Sequence, residues 1–243
     1  VPQVFGDGAG AAAWVPAPYL LPAALVSAVI GFAGVFVARS LSEQAAYAVI
    51  GSTGTLLIAV AGWSAGSLGA GLYYLAHSTL AAAALFLVAD VVARRRGAFG
   101  DNASPSPAFA QRGGIALLFM AAAIAATGLP PLSGFIGKLL ILTSVAALPD
   151  WGWAWGVILG TTFIGVVGFA RVGSAVFWKT AGEGTAPVGP ATRVDLAAPV
   201  IALALLAALA AGAGWASAYA DAAAAQVLDP AQSARAVLTE VGQ

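Results

Sequence analysis

The chain has 243 residues, of which 60% are apolar and only 8% are charged, and its mean hydropathy is +0.92. A soluble protein of this size carries about 25% charged residues, so the composition predicts an all-α integral membrane protein surrounded by lipid. The lack of cysteine and the single histidine exclude disulfides and multi-histidine or thiolate metal sites, and the zero net charge excludes a nucleic-acid partner. No cofactor is expected.

Six apolar runs are long enough for transmembrane helices, each of which needs roughly 20 residues to cross the hydrocarbon core. In chain order, they cover residues 19–38, 44–61, 68–92, 115–147, 155–178 and 196–219. Proline, glycine and most of the charge fall in the joins, the longest of which are 94–114 and 180–195. Residues 221–243 are polar, and we expect a C-terminal tail there that could end in a short surface helix. The sequence therefore predicts one membrane domain over residues 1–243.

Basic residues fall mainly on one side when the joins are numbered alternately. That side holds Arg39, Arg94, Arg95, Arg96, Arg112, Lys179 and Arg193, while the other holds only Arg235. Because cytoplasmic loops of membrane proteins are enriched in lysine and arginine, we expect both termini to lie outside. The chain starts at Val1 and shows no signal peptide, and we expect it to be part of a longer protein.

Lys138 lies in the middle of an apolar stretch of the fourth run. A lysine at the centre of a bilayer costs at least ~2.5 kcal/mol on insertion scales, so a function is the default explanation. The alternative is a lysine near a helix end whose ammonium group reaches the membrane surface. Nearly ten apolar or small residues follow Lys138 before the next join, which favours the functional interpretation.

The fourth run contains a predicted helix break just before this lysine. As one straight helix its 33 residues would be ~50 Å long, against a hydrocarbon core of ~30 Å. Pro130 and Pro131 remove backbone donors, and Gly134 and Gly137 add backbone freedom. Broken helices inside membranes commonly lie at ion sites. A simple proline kink is the alternative.

His77 is the only histidine and lies near the middle of the third run. Inside a membrane, an ionisable residue of this kind is typical of a proton relay, although a structural role stays open. Tyr73 and Tyr74 precede it by four and three residues, so the three side chains share one helix face. The predicted polar path also includes the hydroxyls of Ser78, Thr79 and Ser133.

Two segments resemble a known family. Gly-Leu-Pro-Pro-Leu-Ser-Gly-Phe-Ile-Gly-Lys, at 128–138, is similar to the lysine-bearing broken helix of the proton-pumping, antiporter-like membrane subunits. Tyr-Tyr-Leu-Ala-His-Ser-Thr-Leu, at 73–80, continues to Asp90 and resembles the D subunit of the multisubunit Mrp-type sodium/proton antiporters. That superfamily is shared with respiratory complex I.

The resemblance implies six transmembrane helices, one of them broken, equivalent to the second five-helix inverted repeat plus the final helix of an antiporter-like subunit. It implies that Lys138 is the titrating lysine of a half-channel and that His77 belongs to the hydrated central axis. It also implies a bacterial plasma membrane and other membrane subunits as partners, including a chain that carries the missing N-terminal half.

The resulting hypothesis is a transporter subunit rather than an enzyme. Lys138 would alternate between charged and neutral forms, because burial disfavours the charge, and His77 would pass protons along the axis. Na⁺ and H⁺ would be the transported ions. Three alternatives stay open: a proton-pumping translocase subunit of a complex I-like NADH dehydrogenase, a structural subunit that conducts nothing, and an intramembrane serine hydrolase that uses His77 with Ser52, Ser78, Ser133 or Ser144.

Overall fold

The computed structural model describes residues 17–146, 151–185 and 196–229, and helices account for most of them. The helices are α1 (Ala17–Val37), α2 (Leu41–Ala61), α3 (Ala65–Arg96), α4 (Arg112–Thr127), α5 (Ser133–Val145), α6 (Gly152–Phe177), α7 (Ala197–Ala211) and α8 (Ala213–Leu228). A single 3₁₀ turn, Gly97–Phe99, extends α3. The helical integral membrane fold predicted from composition is therefore confirmed.

The number of long spans in the described part of the chain is four or five. By length and apolarity α1, α2, α3 and α6 can each cross a membrane, and α7 with α8 makes a fifth if the pair counts as one bent span. The fourth predicted run is divided into α4 and α5, which are apolar but short. The predicted count of six is thus approximate.

The prediction of one continuous helix over 196–219 is wrong. The chain bends by 79° between α7 and α8. Gly212 separates the two helices and Gly214 follows it, and glycine is the weakest helix former after proline. Beyond the bend, α8 packs against α3 and runs on to Leu228, so residues 221–228 of the predicted tail are helical. Residues 230–243 lie outside the described residues, as does Ala147 at the end of the fourth predicted run.

Serine caps begin two of the central helices. The Ser40 hydroxyl accepts a hydrogen bond from the Glu43 amide before α2, at 3.1 Å. Before α3, Ser64 and Ser67 form a reciprocal capping box, with N–O distances of 3.1 and 3.0 Å. Each cap satisfies amides that a helix N-terminus leaves unpaired, which fixes where the following helix begins.

Helix α3 lies at the centre of the bundle, where it packs against α2, α4, α5, α7 and α8. Helix α1 packs instead against α2 and α6. Glycines allow the closest approach: a Cβ on Gly54 of α2 would lie 2.7 Å from the Ala28 Cα of α1. Small residues let membrane helices approach each other in this way.

Two joins meet in a short parallel pair of strands, which the helical prediction did not include. Strand β1 (Ser106–Ala108) pairs with β2 (Thr180–Thr185), and Ser106 lies opposite Thr180. The join between α1 and α2 reaches the same end through a bridge from Ser40 to Asn102. The joins that carry most of the basic residues therefore lie at one end of the bundle.

Arg96 holds the join after α3 in shape. Its side chain is 1% exposed and donates hydrogen bonds to the Ser106 hydroxyl and to the carbonyl oxygens of Gly100, Asn102 and Ser104. A planar guanidinium has five donors in a fixed fork, and this geometry suits several backbone acceptors at once. The sequence placed Arg96 among the basic residues of a join, and the structure shows that its buried side chain holds the backbone of that join together.

Candidate functional site

The chain breaks between α4 and α5 at the place where the sequence predicts it. Helix α4 ends at Thr127, and Gly128 follows with a φ of +73°, which glycine adopts without steric cost. Pro130 and Pro131 lie in the connection between the helices, where neither has an amide to leave unpaired. Helix α5 then begins at Ser133. The carbonyls at the end of α4 are therefore left near the start of a second helix.

Lys138 lies on α5 and turns back toward that break. Its side chain is 5% exposed. Its Nζ atom donates to the carbonyl oxygen of Thr127 at 2.7 Å and to the hydroxyl of Thr162 on α6, also at 2.7 Å. The ring of Phe32, on α1, lies under the ammonium, with its centroid 5.1 Å from Nζ. Four helices thus contribute to the surroundings of one buried amine.

The C-terminus of α4 is a favourable place for a cation. Carbonyl oxygens at the C-terminal end of a helix lack partners in the helix and carry partial negative charge. The Thr127 oxygen supplies that charge directly to Lys138. Glycine at 128 is required for the contact, because a Cβ there would lie 2.8 Å from the Lys138 Cδ atom. The break therefore both exposes an acceptor and leaves space for the lysine side chain.

His77, on α3, contacts Ser133, the first residue of α5. Its ring is 1% exposed, and its Nδ1 atom lies 2.9 Å from the Ser133 hydroxyl, with the donor set by the tautomer of the ring. Gly134 lies against the ring, since a Cβ there would be 2.7 Å from Nε2. Ser133 and Lys138 both lie on α5. The structure thus places the two ionisable residues that the sequence singled out along one short helix.

Tyr74 extends this cluster toward α2. Its ring lies 5.5 Å from the His77 ring and fits against Gly137, where a Cβ would be 2.9 Å from a ring carbon. Its hydroxyl is fully buried and forms no hydrogen bond with any described residue. Ser52 and Thr55, on α2, lie near that hydroxyl.

Other predicted path residues lie elsewhere. The Tyr73 hydroxyl donates to the Leu209 carbonyl at 3.2 Å and so fastens α3 to α7. Ser78 and Thr79 both donate to the Leu75 carbonyl within their own helix, and Thr79 is exposed on the outside of the bundle. Hydroxyls in membrane helices commonly satisfy themselves in this way. The structure does not bring these three hydroxyls into the cluster around His77.

Several residues that surround Lys138 and His77 were not predicted from the sequence. Thr162 donates to the Ile158 carbonyl at 2.7 Å and also accepts a hydrogen bond from Lys138, and this second contact was not predicted. The contacts of Phe32, Ser52 and Thr55 were not predicted. Each depends on an approach between helices that are distant in the chain. For Thr127 a signal existed, because it directly precedes the glycine and prolines of the break.

A cleft of about 260 Å³ lies beside Lys138 between α5 and α6. Its walls are almost wholly apolar and include Leu129, Phe135, Leu139, Trp155 and Leu159. Among the described residues, no group of three or more His, Cys, Asp or Glu side chains comes together as a metal site would require. The chemistry available here is therefore that of an amine, an imidazole and hydroxyls.

The structure contains only one of the contacts that the serine hydrolase alternative requires within the described residues. His77 and Ser133 are within hydrogen-bonding distance, as a base and nucleophile must be. Ser133 is fully buried, however, and within the described ranges His77 hydrogen-bonds to no carboxylate that could orient it. The geometry does not assemble a catalytic triad.

A bundle of apolar helices with a buried lysine beside a helix break defines a multi-pass membrane protein with an ionisable group in its interior. The model of the NADH:quinone oxidoreductase/Mrp antiporter transmembrane family matches residues 10–166. The chain belongs to this family.

Its relatives include two antiporter subunits. A probable K⁺/H⁺ antiporter D subunit of Rhizobium meliloti (strain 1021) is 29% identical over 97% of this chain and 48% of its own length. A Na⁺/H⁺ antiporter D subunit of Bacillus subtilis (strain 168) is 26% identical over 89% of this chain and 44% of its own length. The chain thus spans about half the length of these curated relatives.

A solved structure supports the fold. A chain in the structure of the Mrp complex from Dietzia sp. DQ12-45-1b superimposes with a TM-score of 0.76 at 22% identity, covering 91% of this chain and 50% of that one. The antiporter-like membrane fold that the sequence resemblance implied is therefore confirmed.

Proposed function

We propose that this chain is part of the ion-translocating subunit of a multisubunit cation/proton antiporter, in which protons pass through a half-channel centred on Lys138. The observation that carries the proposal is the placement of its Nζ atom between the Thr127 carbonyl and the Thr162 hydroxyl. Both groups stabilise a proton on the amine. Burial opposes it, because a charge in a low-dielectric interior is costly. The balance allows the lysine to gain and lose a proton.

His77 is the second proton-carrying group in this proposal. Imidazole changes protonation more readily than any other side chain near neutral pH. Its contact with Ser133 places it at the start of α5, next to the break, and Tyr74 adjoins its ring. The residues of the break act indirectly. The helix is interrupted at Pro130 and Pro131, and α3 can approach α5 closely at Gly134 and Gly137.

The transported ions are H⁺ and a cation, and Na⁺ is the cation that the sequence resemblance favours. The relatives are named for K⁺ and for Na⁺. Partners are further membrane subunits, among them a chain carrying the half that the relatives possess and this chain does not match. In the bacterial plasma membrane, the end with the paired strands faces the cytoplasm and both termini face outward, in keeping with the excess of basic residues.

Sodium-dependent proton transport in vesicles that hold the complete complex tests this proposal. Lys138→Ala should abolish transport, whereas Lys179→Ala, which changes an exposed lysine beyond the end of α6, should leave it unchanged. Assembly is measured in parallel by the amount of complex recovered. Normal transport by a normally assembled Lys138→Ala complex would refute the proposal, and such a result would favour a structural subunit.

A second candidate is a proton-pumping membrane subunit of a complex I-like NADH dehydrogenase, because the family includes both classes. The two candidates predict the same role for Lys138 and differ in their partners. Mass spectrometry of polypeptides that copurify with the chain separates them. Redox subunits would indicate the dehydrogenase, and small membrane subunits without redox centres would indicate the antiporter.

A further inference from the structure

The end of the bundle that carries the paired strands also contains a cleft separate from the one beside Lys138. Its volume is about 350 Å³, and it lies between the start of α4 and the end of α6. Its walls are Ala116, Leu117, Met120 and Phe177, with Arg112, Gly113 and Trp178 at the rim. This size is within the usual range of small-ligand sites. The lining changes from basic and aromatic at the helix ends to apolar farther along α4.

Arg112 supplies positive charge at the rim. Its side chain is half-buried and, among the described residues, has neither a carboxylate partner nor a hydrogen bond. Arg94, at the same end, differs because it pairs with Asp90. Lys179 adds a second, exposed cation next to Trp178. Arg112 is also the first residue of α4, where the helix dipole adds to the positive potential.

The rest of the cleft suits an acyl chain at the membrane surface. Trp178 is 60% exposed, and indole rings concentrate at membrane–water interfaces. Leu117 is 71% exposed and Met120 is 41% exposed, so apolar side chains continue the cleft along the outside of α4. Gly113 leaves the rim open, because a Cβ there would meet nothing within 4 Å.

We propose that this cleft binds one anionic phospholipid, with its phosphate at Arg112 and one acyl chain along Leu117 and Met120. Charge complementarity selects an anionic headgroup over a zwitterionic one, because basic pockets at membrane surfaces hold anionic lipids. The site lies on α4 and α6, the helices that supply Thr127 and Thr162 to Lys138. Lipid bound there braces the pair at the end away from the break. The proposal does not depend on the proposed transport function.

The test uses the assembled complex reconstituted in nanodiscs of phosphatidylcholine with increasing phosphatidylglycerol. Native mass spectrometry counts retained phosphatidylglycerol, and thermal unfolding gives the stabilisation at each lipid fraction. Arg112→Gln should weaken apparent phosphatidylglycerol binding about fivefold, as expected for one basic residue near the surface. Arg39→Gln, which removes an exposed arginine at the same end and outside the cleft, should not. Arg112→Lys should restore part of the binding.

A second variant tests the acyl half of the site. Leu117→Trp fills the groove without changing charge and should also reduce retained lipid. Equal losses in Arg112→Gln and Arg39→Gln would overturn the proposal in favour of general surface charge. Equal retention of phosphatidylcholine, or full competition by glycerol phosphate alone, would overturn it as well. A photo-crosslinker can be attached at Leu117→Cys, because the chain has no other cysteine. Labelling of another protein of the complex instead of lipid would also overturn the proposal.

Discussion

The ammonium of Lys138 donates a hydrogen bond to the carbonyl oxygen of Thr127, the last residue of α4, across the break that separates α4 from α5. The end of α4 therefore supplies a hydrogen-bond acceptor to the Lys138 side chain of α5. The partial negative charge of that helix end and the lysine charge stabilise each other. Single substitutions around Lys138 and at the helix contacts can show which residues contribute to stability and which contribute to transport.

Thr162→Val should slow proton transport by about tenfold or more, because it removes an acceptor from the charged form of Lys138 while keeping the side-chain shape. A hydrogen bond to a charged group contributes about 1.5–3 kcal/mol, and about 1.4 kcal/mol corresponds to a factor of ten. Thr161→Val is the matched control, since the Thr161 hydroxyl bonds only within its own helix. Equal rates for the two variants in vesicle assays would show that Thr162 does not act on the lysine.

Gly128→Ala should reduce both stability and transport. Alanine at a φ of +73° costs about 1–2 kcal/mol, and the new Cβ would lie 2.8 Å from the Lys138 Cδ atom, so the lysine must move. Gly160→Ala, on α6, meets nothing within 4 Å and should be neutral or stabilising. Thermal unfolding of the purified complex and transport in vesicles measure the two effects. An unchanged Gly128→Ala complex would contradict the required close contact.

The two neighbouring tyrosines should respond in opposite ways to loss of their hydroxyls. Tyr74→Phe removes a buried hydroxyl that forms no hydrogen bond in the described structure, so stability should hold or rise, while transport should fall if that hydroxyl serves the path. Tyr73→Phe breaks the bond to Leu209 and should cost about 0.5–1.5 kcal/mol with little effect on the transport rate. Unimpaired transport in Tyr74→Phe would remove Tyr74 from the path.

Gly54→Ala should separate α1 from α2 and lower the free energy of unfolding by about 1–3 kcal/mol, the usual cost of an extra methyl group in a packed core. The new Cβ would lie 2.7 Å from the Ala28 Cα atom, and backbone cannot move away as a side chain can. Gly66→Ala, near the start of α3, faces open space and serves as the control. Equal unfolding temperatures would show that the two helices are not in close contact.

Local features of the sequence predicted the break and its neighbours well. Proline and glycine at 128–131 end α4 for reasons confined to the backbone, and the structure ends it at Thr127. The bend at Gly212 was not predicted, because Gly212 and Gly214 lie in an otherwise apolar run that suits a straight helix equally well. The packing of α8 against α3, which favours the bent arrangement, is absent from any local pattern.

The residues of the candidate site also fall into those that local sequence predicts and those that it does not. Lys138 and His77 were predicted as candidate site residues because an ionisable group in an apolar run is costly wherever the run folds. Ser78 and Thr79 were included because they are near His77 in the chain, yet helix geometry turns them to their own backbone. Thr162 lies 24 residues from Lys138 and gives no local sign of meeting it.

Composition and the apolar runs predict that this chain lies in lipid and where most of its long helices are, and they mark Lys138 and His77 as costly to keep there. Each of these predictions follows from the cost of placing polar groups in hydrocarbon. Which acceptors hold Lys138 depends on how the helices pack, and no local pattern predicts it. They come from α4 and α6, two helices that are distant from Lys138 in the chain or separated from it by the break. Gly128 and Gly134 leave the space in which α5 and its lysine lie close to α4 and to His77.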